Sequence, residues 1–184
     1  SSSAFGNSHI PGAINIGLGG QFAPWAGSLI AAETPIVIVA DDLAEVDEAV
    51  MRLARVGIEN VKGYLGGGMY AWDKAGLETT MIQQMPVDEL RSYIEEQSDL
   101  QIVDVRRPAE YASGHVPGAV NLPLAHLDKA EQLYLERPTA VVCASGYRSS
   151  AATSLLAKRG YRKLFNVIGG TNGWINAGYP VEQP

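Results

Sequence analysis

The 184-residue sequence has a single cysteine, Cys143, so no intramolecular disulfide can staple the fold. A lone thiol is uncommon in a secreted protein of this size, and a reducing, cytoplasmic setting is the expectation. Basic runs are also absent. Fourteen Lys+Arg stand against twenty Asp+Glu, for a formal charge of −6. That pattern argues against nucleic acid and against an anionic membrane as partners. Residues 1–32 contain no Asp, Glu, Lys or Arg. Pro11, Pro24 and five glycines from Gly12 to Gly27 interrupt them, so they hold no unbroken apolar span of about 20 residues such as a membrane crossing needs. The stretch also lacks the basic start of a signal peptide. No His, Cys and carboxylate spacing marks a metal site, and no cofactor is expected. What is present suffices for a packed core: 46% of residues are hydrophobic and 18% charged, too apolar a mixture for a disordered chain.

An internal repeat sets the organisation. His9-Ile-Pro-Gly-Ala-Ile-Asn-Ile16 recurs as His115-Val-Pro-Gly-Ala-Val-Asn-Leu122, Gly57 is answered by Gly160, and Trp72-Asp-Lys-Ala-Gly76 by Trp174-Ile-Asn-Ala-Gly178. The separations are 106, 103 and 102 residues, those of a duplicated domain. The division expected is residues 1–82 and 83–184, with the polar stretch Leu77 to Met85 as linker. The second copy opens with a helix predicted over Pro86 to Gln97, with Pro in its first turn and Leu90, Tyr93 and Ile94 on one face. A strand, Gln101 to Val105, follows. The first copy has only Ser1 to Ser8 ahead of its His-Ile-Pro-Gly, so its opening helix and strand are missing and it reads as truncated at its N-terminus.

Within each copy, short β-branched runs alternate with helical patterns. Ile36 to Val39 and Ala140 to Cys143 have the continuous apolar character of strands buried on both faces of a parallel sheet. Val46, Ala49, Val50, Leu53 and Ala54 then follow helical spacing, as do Ala151, Ala152, Leu155 and Leu156. Further strands are predicted over Val61 to Leu65 and Lys163 to Val167. The fold class is α/β: two small, mostly parallel sheets flanked by helices.

Cys143 falls where a strand hands over to a helix, through Cys143-Ala-Ser-Gly-Tyr-Arg148. A loop there turns unpaired backbone N–H groups toward one spot, and Gly146 permits the conformation such a cradle needs. The amides, the helix dipole and Arg148 favour a thiolate, and the same cradle would hold a sulfur anion. Asp104 and Arg106 end a strand on the side of the sheet that carries this loop. Their expected role is a supporting one, in an ion pair with Glu110. His9 and His115 sit in turns, where backbone bonding is expected, and His126 reads as a surface residue. Trp25, Trp72, Trp174 and Tyr161 read as packing.

Asp104-Val-Arg106, Gly114-His-Val-Pro-Gly-Ala119, Cys143-Ala-Ser-Gly-Tyr-Arg148-Ser149 and Ile168-Gly-Gly170…Trp174…Gly178-Tyr-Pro180 together resemble a rhodanese domain, over about residues 86–182. The resemblance implies a sulfurtransferase of tandem domains. Sulfane sulfur would pass from thiosulfate or a persulfide to Cys143, and from the Cys143 persulfide to cyanide, sulfite or a thiol. Cys143 is then the nucleophile, and Ala144, Ser145, Gly146, Tyr147 and Arg148 form the sulfur-binding loop. A non-turnover module that carries persulfide or senses redox state is the second reading. A Cys-dependent phosphatase is a lesser one, because such enzymes and rhodanese-like phosphatases space Cys and Arg one residue further apart.

The first copy resembles the family through His9 to Ala13 and Gly66-Gly-Gly68…Trp72 but departs at the chemistry. Ala40 stands where the cysteine would, and Glu45 where Arg148 does, so this copy is expected to be inactive. Tandem pairs of this kind also form the C-terminal part of metallo-β-lactamase-fold persulfide dioxygenase fusions. Phe22-Ala-Pro-Trp-Ala-Gly27 resembles a segment of those fusions, so a fused or docked N-terminal domain is a candidate partner.

Overall fold

The structure is a computed structural model and describes residues 1–96, 99–127 and 133–184. The apolar run Thr139–Val142 forms strand β6, buried at all four positions. It lies inside a five-stranded parallel sheet with β3 (Gln83–Met85), β4 (Gln101–Asp104), β5 (Ala119–Asn121) and β7 (Leu164–Val167). The order is β3-β7-β6-β4-β5, which puts the two most buried strands beside β6. Ile102, Ala140, Val142 and Val167 build one core with Met85, Leu90 of α5 (Val87–Glu95) and Trp174 of α8 (Gly170–Asn176). Helix α7 (Tyr147–Lys158) packs on β6 and β7. Each of the large side chains in this core removes about 1.5–3 kcal/mol worth of apolar surface from water.

The chain divides into two compact units. The second holds this sheet and covers Met81–Pro184 together with Ser2–Asn7 and Gly12–Asn15. Ser2–Asn7 is helix α1, set against β3 and α7, and Asn15 Nδ2 donates to Ser150 Oγ at 2.7 Å. The first unit covers Ser1, Ser8–Pro11 and Ile16–Thr80. Its sheet has two parallel strands, β1 (Ile36–Ile38) and β2 (Val61–Tyr64). Phe22 and Ala26 of α2 (Phe22–Leu29), Ala49 and Leu53 of α3 (Leu43–Ala54) and Ile58 form its core. Helix α4 (Gly68–Lys74) follows the glycine turn, and α6 (Pro108–Ala112) lies between β4 and β5 in the second unit.

The two copies start in one register, Ile36 with Val61 in the first and Thr139 with Leu164 in the second, and then part: an irregularity sets Val37 against Gly63, whereas Ala140 stays on Phe165. Several boundaries move by one or two residues. Cys143 follows β6 instead of ending it, α7 starts at Tyr147 where the sequence reads as helix from Ser149 onward, and Pro86 is the N-cap of α5. Gln97, the last residue of the predicted opening helix, lies outside the described residues. One expectation is corrected. The stretch taken as linker contains β3, because Ile82 and Met85 are buried while Gln84 finds a polar partner inside, so its polar composition conceals a strand. Residues before His9 hold a helix, α1, which stands 106 residues before α6 and is the counterpart of that helix, not of the opening helix α5. His9 and His115 are buried and each forms an isolated bridge, with Thr80 and Glu182. His126 is exposed. Among the described residues no helix is long and apolar enough to cross a membrane.

Candidate active site

Parallel strands bring their carboxyl ends to one edge, and the loops after β4 and β6 meet there. Val105 N–H donates to the Val142 carbonyl at 2.9 Å, which joins the two exits. Cys143 is 1% exposed. Gly146 then takes φ +100°, a left-handed conformation that any residue with a Cβ adopts only with strain. That turn swings its own N–H back to donate to Cys143 Sγ at 3.1 Å. It also starts α7 without a side-chain cap, which leaves first-turn amides at the loop. From the other side, Thr171 and Asn172 N–H groups donate to the Cys143 and Ala144 carbonyls at 2.8 and 3.0 Å. This requires a glycine at 170. A Cβ there would stand 2.2 Å from the Cys143 carbonyl oxygen.

A buried polar chain backs the sulfur. Ser149 Oγ lies 3.4 Å from Cys143 Sγ and donates to Asn166 Oδ1 at 2.6 Å. Asn166 Nδ2 donates to Gln84 Oε1 at 2.8 Å, and Gln84 Nε2 to the Ile82 carbonyl at 3.0 Å. With its proton given to Asn166, the Ser149 oxygen faces sulfur as an acceptor.

The cations are placed differently from expectation. Arg106 pairs with Asp104 and not with Glu110: its Nε and Nη2 lie 2.9 and 2.7 Å from Asp104 Oδ2, and Nη2 also donates to the Gly114 carbonyl at 2.8 Å. The reason is local. The chain turns at the end of β4, and Asp104 Oδ1 accepts from the Arg106 N–H two residues on at 2.9 Å. Asn121 Nδ2 fixes the turn by donating to the Asp104 and Arg106 carbonyls, each at 3.0 Å. Both members of the pair are buried.

Glu110 instead binds Arg148 with both oxygens, at 2.8 and 2.7 Å. The Arg148 guanidinium holds the Glu110 carboxyl down at about 2, against an opposing effect of burial. In return Glu110 raises Arg148 further, with smaller contributions from charge on Cys143 and Asp104.

Of the residues singled out from sequence, Cys143, Gly146 and Arg148 therefore share one loop, with the buried Asp104–Arg106 pair at the end of the neighbouring strand. Ala144 and Tyr147 are half-buried, and Ser145 is exposed at the loop's outer turn. Ser149, Asn166 and the partnership of Glu110 with Arg148 were not anticipated. Asn166 could have been found, since an amide inside the apolar run Leu164–Val167 must have a buried partner.

The arrangement is a deeply set thiol with a backbone N–H aimed at it and a helix N-terminus behind. Comparison with known proteins agrees in kind. The chain is 30% identical over 105 residues to a sulfurtransferase of Allochromatium vinosum, across 56% of this chain and 98% of that protein. It is 30% identical over 109 residues to a putative sulfur carrier protein of Bacillus subtilis, across 59% of this chain but only 57% of that one. A crystal structure of a rhodanese-related protein from Thermoplasma volcanium superposes with TM-score 0.51 at 32% identity, over 55% of this chain and 99% of that one. The Rhodanese-like domain family matches residues 1–75 and again 86–177, and the chain belongs to it.

Proposed function

We propose that the chain is a sulfurtransferase working through a Cys143 persulfide, with its chemistry in residues 83–184 and none in residues 1–82. The observation that carries this reading is the Gly146 N–H donating to Cys143 Sγ at the start of an uncapped helix, because that geometry stabilises negative charge on sulfur. In the first step the Cys143 thiolate attacks the sulfane sulfur of a donor R–S–SH. A new S–S bond forms between Cys143 and the outer sulfur, the donor's own S–S bond breaks, and RS⁻ leaves with the bonding pair. In the second, a nucleophile such as cyanide takes the outer sulfur as thiocyanate and returns Cys143 to thiolate. Sulfite or a thiol can take the place of cyanide. Atoms and charge balance without metal or redox partner. The loop 144–148 would hold the outer sulfur, and Asp104 with Arg106 would fix the neighbouring turn. A cytoplasmic setting suits a thiol that must stay reduced.

The test is mass spectrometry after incubation with thiosulfate or a persulfide. The chain is expected to gain about 32 Da, lose it to cyanide, and show neither event in Cys143→Ser. Loading that persists in Cys143→Ser sinks the assignment. A second reading, a persulfide carrier without turnover, draws on the name of the Bacillus subtilis relative. It predicts loading that no small acceptor discharges.

A further inference from the structure

Charge is set out beside the Cys143 loop in an unexpected way. Two arginines stand there, and each is matched by one carboxylate. Arg106 is buried against Asp104. Arg148 turns both terminal nitrogens to Glu110, with Nη1 on Oε2 and Nη2 on Oε1. Glu110 is not free to drift from this pose. Its Oε2 also accepts from the Arg107 N–H at 3.2 Å, which ties it to the first turn of α6. No Lys, His or further Arg lies between Cys143 and Ser149. Both of these guanidinium groups are therefore neutralised by a carboxylate, and the exposed Arg107 meets Glu110 through its backbone N–H. The Gly146 N–H and the start of α7 remain to attract an anion.

A sulfur donor must come within bonding distance of a Cys143 thiolate, which is itself an anion. Thiosulfate brings two negative charges and persulfides of small uncharged thiols bring one or none. In the first case the step is Cys143–S⁻ + S–SO₃²⁻ → Cys143–S–S⁻ + SO₃²⁻, with three negative charges crowded on each side. In the second it is Cys143–S⁻ + R–S–SH → Cys143–S–SH + RS⁻, with one. Repulsion in a site of low dielectric separates these two donors strongly, and an Arg148 already bidentate on Glu110 does not offset it.

We propose that Glu110 is a specificity-determining residue which, by holding Arg148, directs the Cys143 loop toward persulfides of small thiols and away from dianionic donors such as thiosulfate. The inference rests on the sulfur-transfer reading and narrows its donor class.

The experiment compares single-turnover sulfur loading by intact mass, with thiosulfate and with 2-hydroxyethyl persulfide as donors, in the unmodified chain, Glu110→Gln, and Glu110→Gln with Arg148→Ala. The readout is the ratio of the two loading rate constants. Glu110→Gln frees a cation, and the thiosulfate-to-persulfide ratio is expected to rise about tenfold or more. Adding Arg148→Ala returns it toward the starting value. A residue that merely braces the fold would lower both donors together and leave the ratio in place, and that result overturns the proposal. A measurement on the unmodified chain keeps the question open to test if the variant does not fold. Raising salt from about 0.02 to about 0.5 M screens repulsion and should speed thiosulfate relative to persulfide, whereas slowing would contradict the idea. Absence of loading from either donor in the unmodified chain overturns sulfur transfer itself, a result separate from an unchanged ratio.

Discussion

The loops after β1 and β6 begin from the same geometry and end with opposite electrostatics. Ala40 and Cys143 stand 103 residues apart, the same separation that relates the first strand pairs, Ile36 with Val61 and Thr139 with Leu164. Both carbonyls are approached closely by a glycine of the following turn. A Cβ on Gly68 would stand 2.8 Å from the Ala40 oxygen, as one on Gly170 would crowd that of Cys143. The backbones then part. Leu43 occupies the place of Gly146 and cannot take its left-handed turn cheaply, so α3 starts at Leu43, one position earlier. Asp42 becomes the cap, accepting from Glu45 N–H at 2.9 Å, while Glu45 accepts from Asp41 N–H at 3.1 Å. The first loop thus fills its own helix terminus with carboxylates. The second leaves its terminus to sulfur. The capped end follows Leu43 and the uncapped one follows Gly146, and Ala40 stands at the first where Cys143 stands at the second.

Four substitutions test this contrast, taken from the largest expected effect to the smallest. Asp104→Ala strands a buried Arg106 in the second unit and should cost roughly 3–5 kcal/mol in chemical denaturation. A loss below about 1 kcal/mol would mean that Arg106 finds another partner. Gly146→Ala forces a Cβ into φ +100°, although the space around it is ordinary, with the nearest atom at 3.5 Å. Strain alone should cost about 1–3 kcal/mol, and the loop should shift toward the form seen after β1 with loss of sulfur loading. Full loading in a stable Gly146→Ala chain would break the argument about the glycine.

The third test uses pH. Glu110 is lowered to about 2 in the fold, so its pairing stabilises the chain fully above its unfolded value and is lost as pH falls through the folded one. The stability gap between the unmodified chain and Glu110→Gln should be present at neutral pH, shrink in acid below the ordinary carboxylate range, and vanish below about 2. With Glu110 more than a third exposed, the gap is worth under about 1 kcal/mol. The smallest effect is expected from Ala40→Cys, which should load no sulfur, because Asp41, Asp42 and Glu45 remain and Leu43 keeps the helix end capped. Two transferable sulfurs in that variant would overturn the account of the first loop.

What could be read from the sequence follows the reach of each signal. The strand–loop–helix junction at Cys143 was legible because apolar run, cysteine, glycine and helical pattern lie within a dozen residues. The partner of Arg148 was not, since Glu110 lies 38 residues away and competed on paper with Arg106. The pairing of Arg106 is set by the turn after β4, which folds its N–H and guanidinium back onto Asp104, and that turn leaves no pattern in the sequence. Strand β3 escaped notice for a related reason. Gln83 and Gln84 read as polar linker until the sheet supplies Asn166 as a partner for Gln84. The irregular backbone of Ala13 to Asn15 makes the same point in reverse. Its counterpart β5 is a strand only because β4 lies beside it.

The burial of Cys143 has a consequence for chemical lifetime. At 1% exposure Cys143 Sγ offers little surface to peroxide or alkylating reagents, and a sulfur donor must come in by the same narrow approach. A second sulfur bonded to it would extend about 2.05 Å beyond Sγ and bring the reactive atom nearer to solvent. The empty form would then be the protected one and the loaded form the vulnerable one, so iodoacetamide should label the chain faster after loading than before. Such a protein would be most exposed to oxidative damage while it carries cargo, and quick discharge to an acceptor would serve its own preservation as well as the transfer.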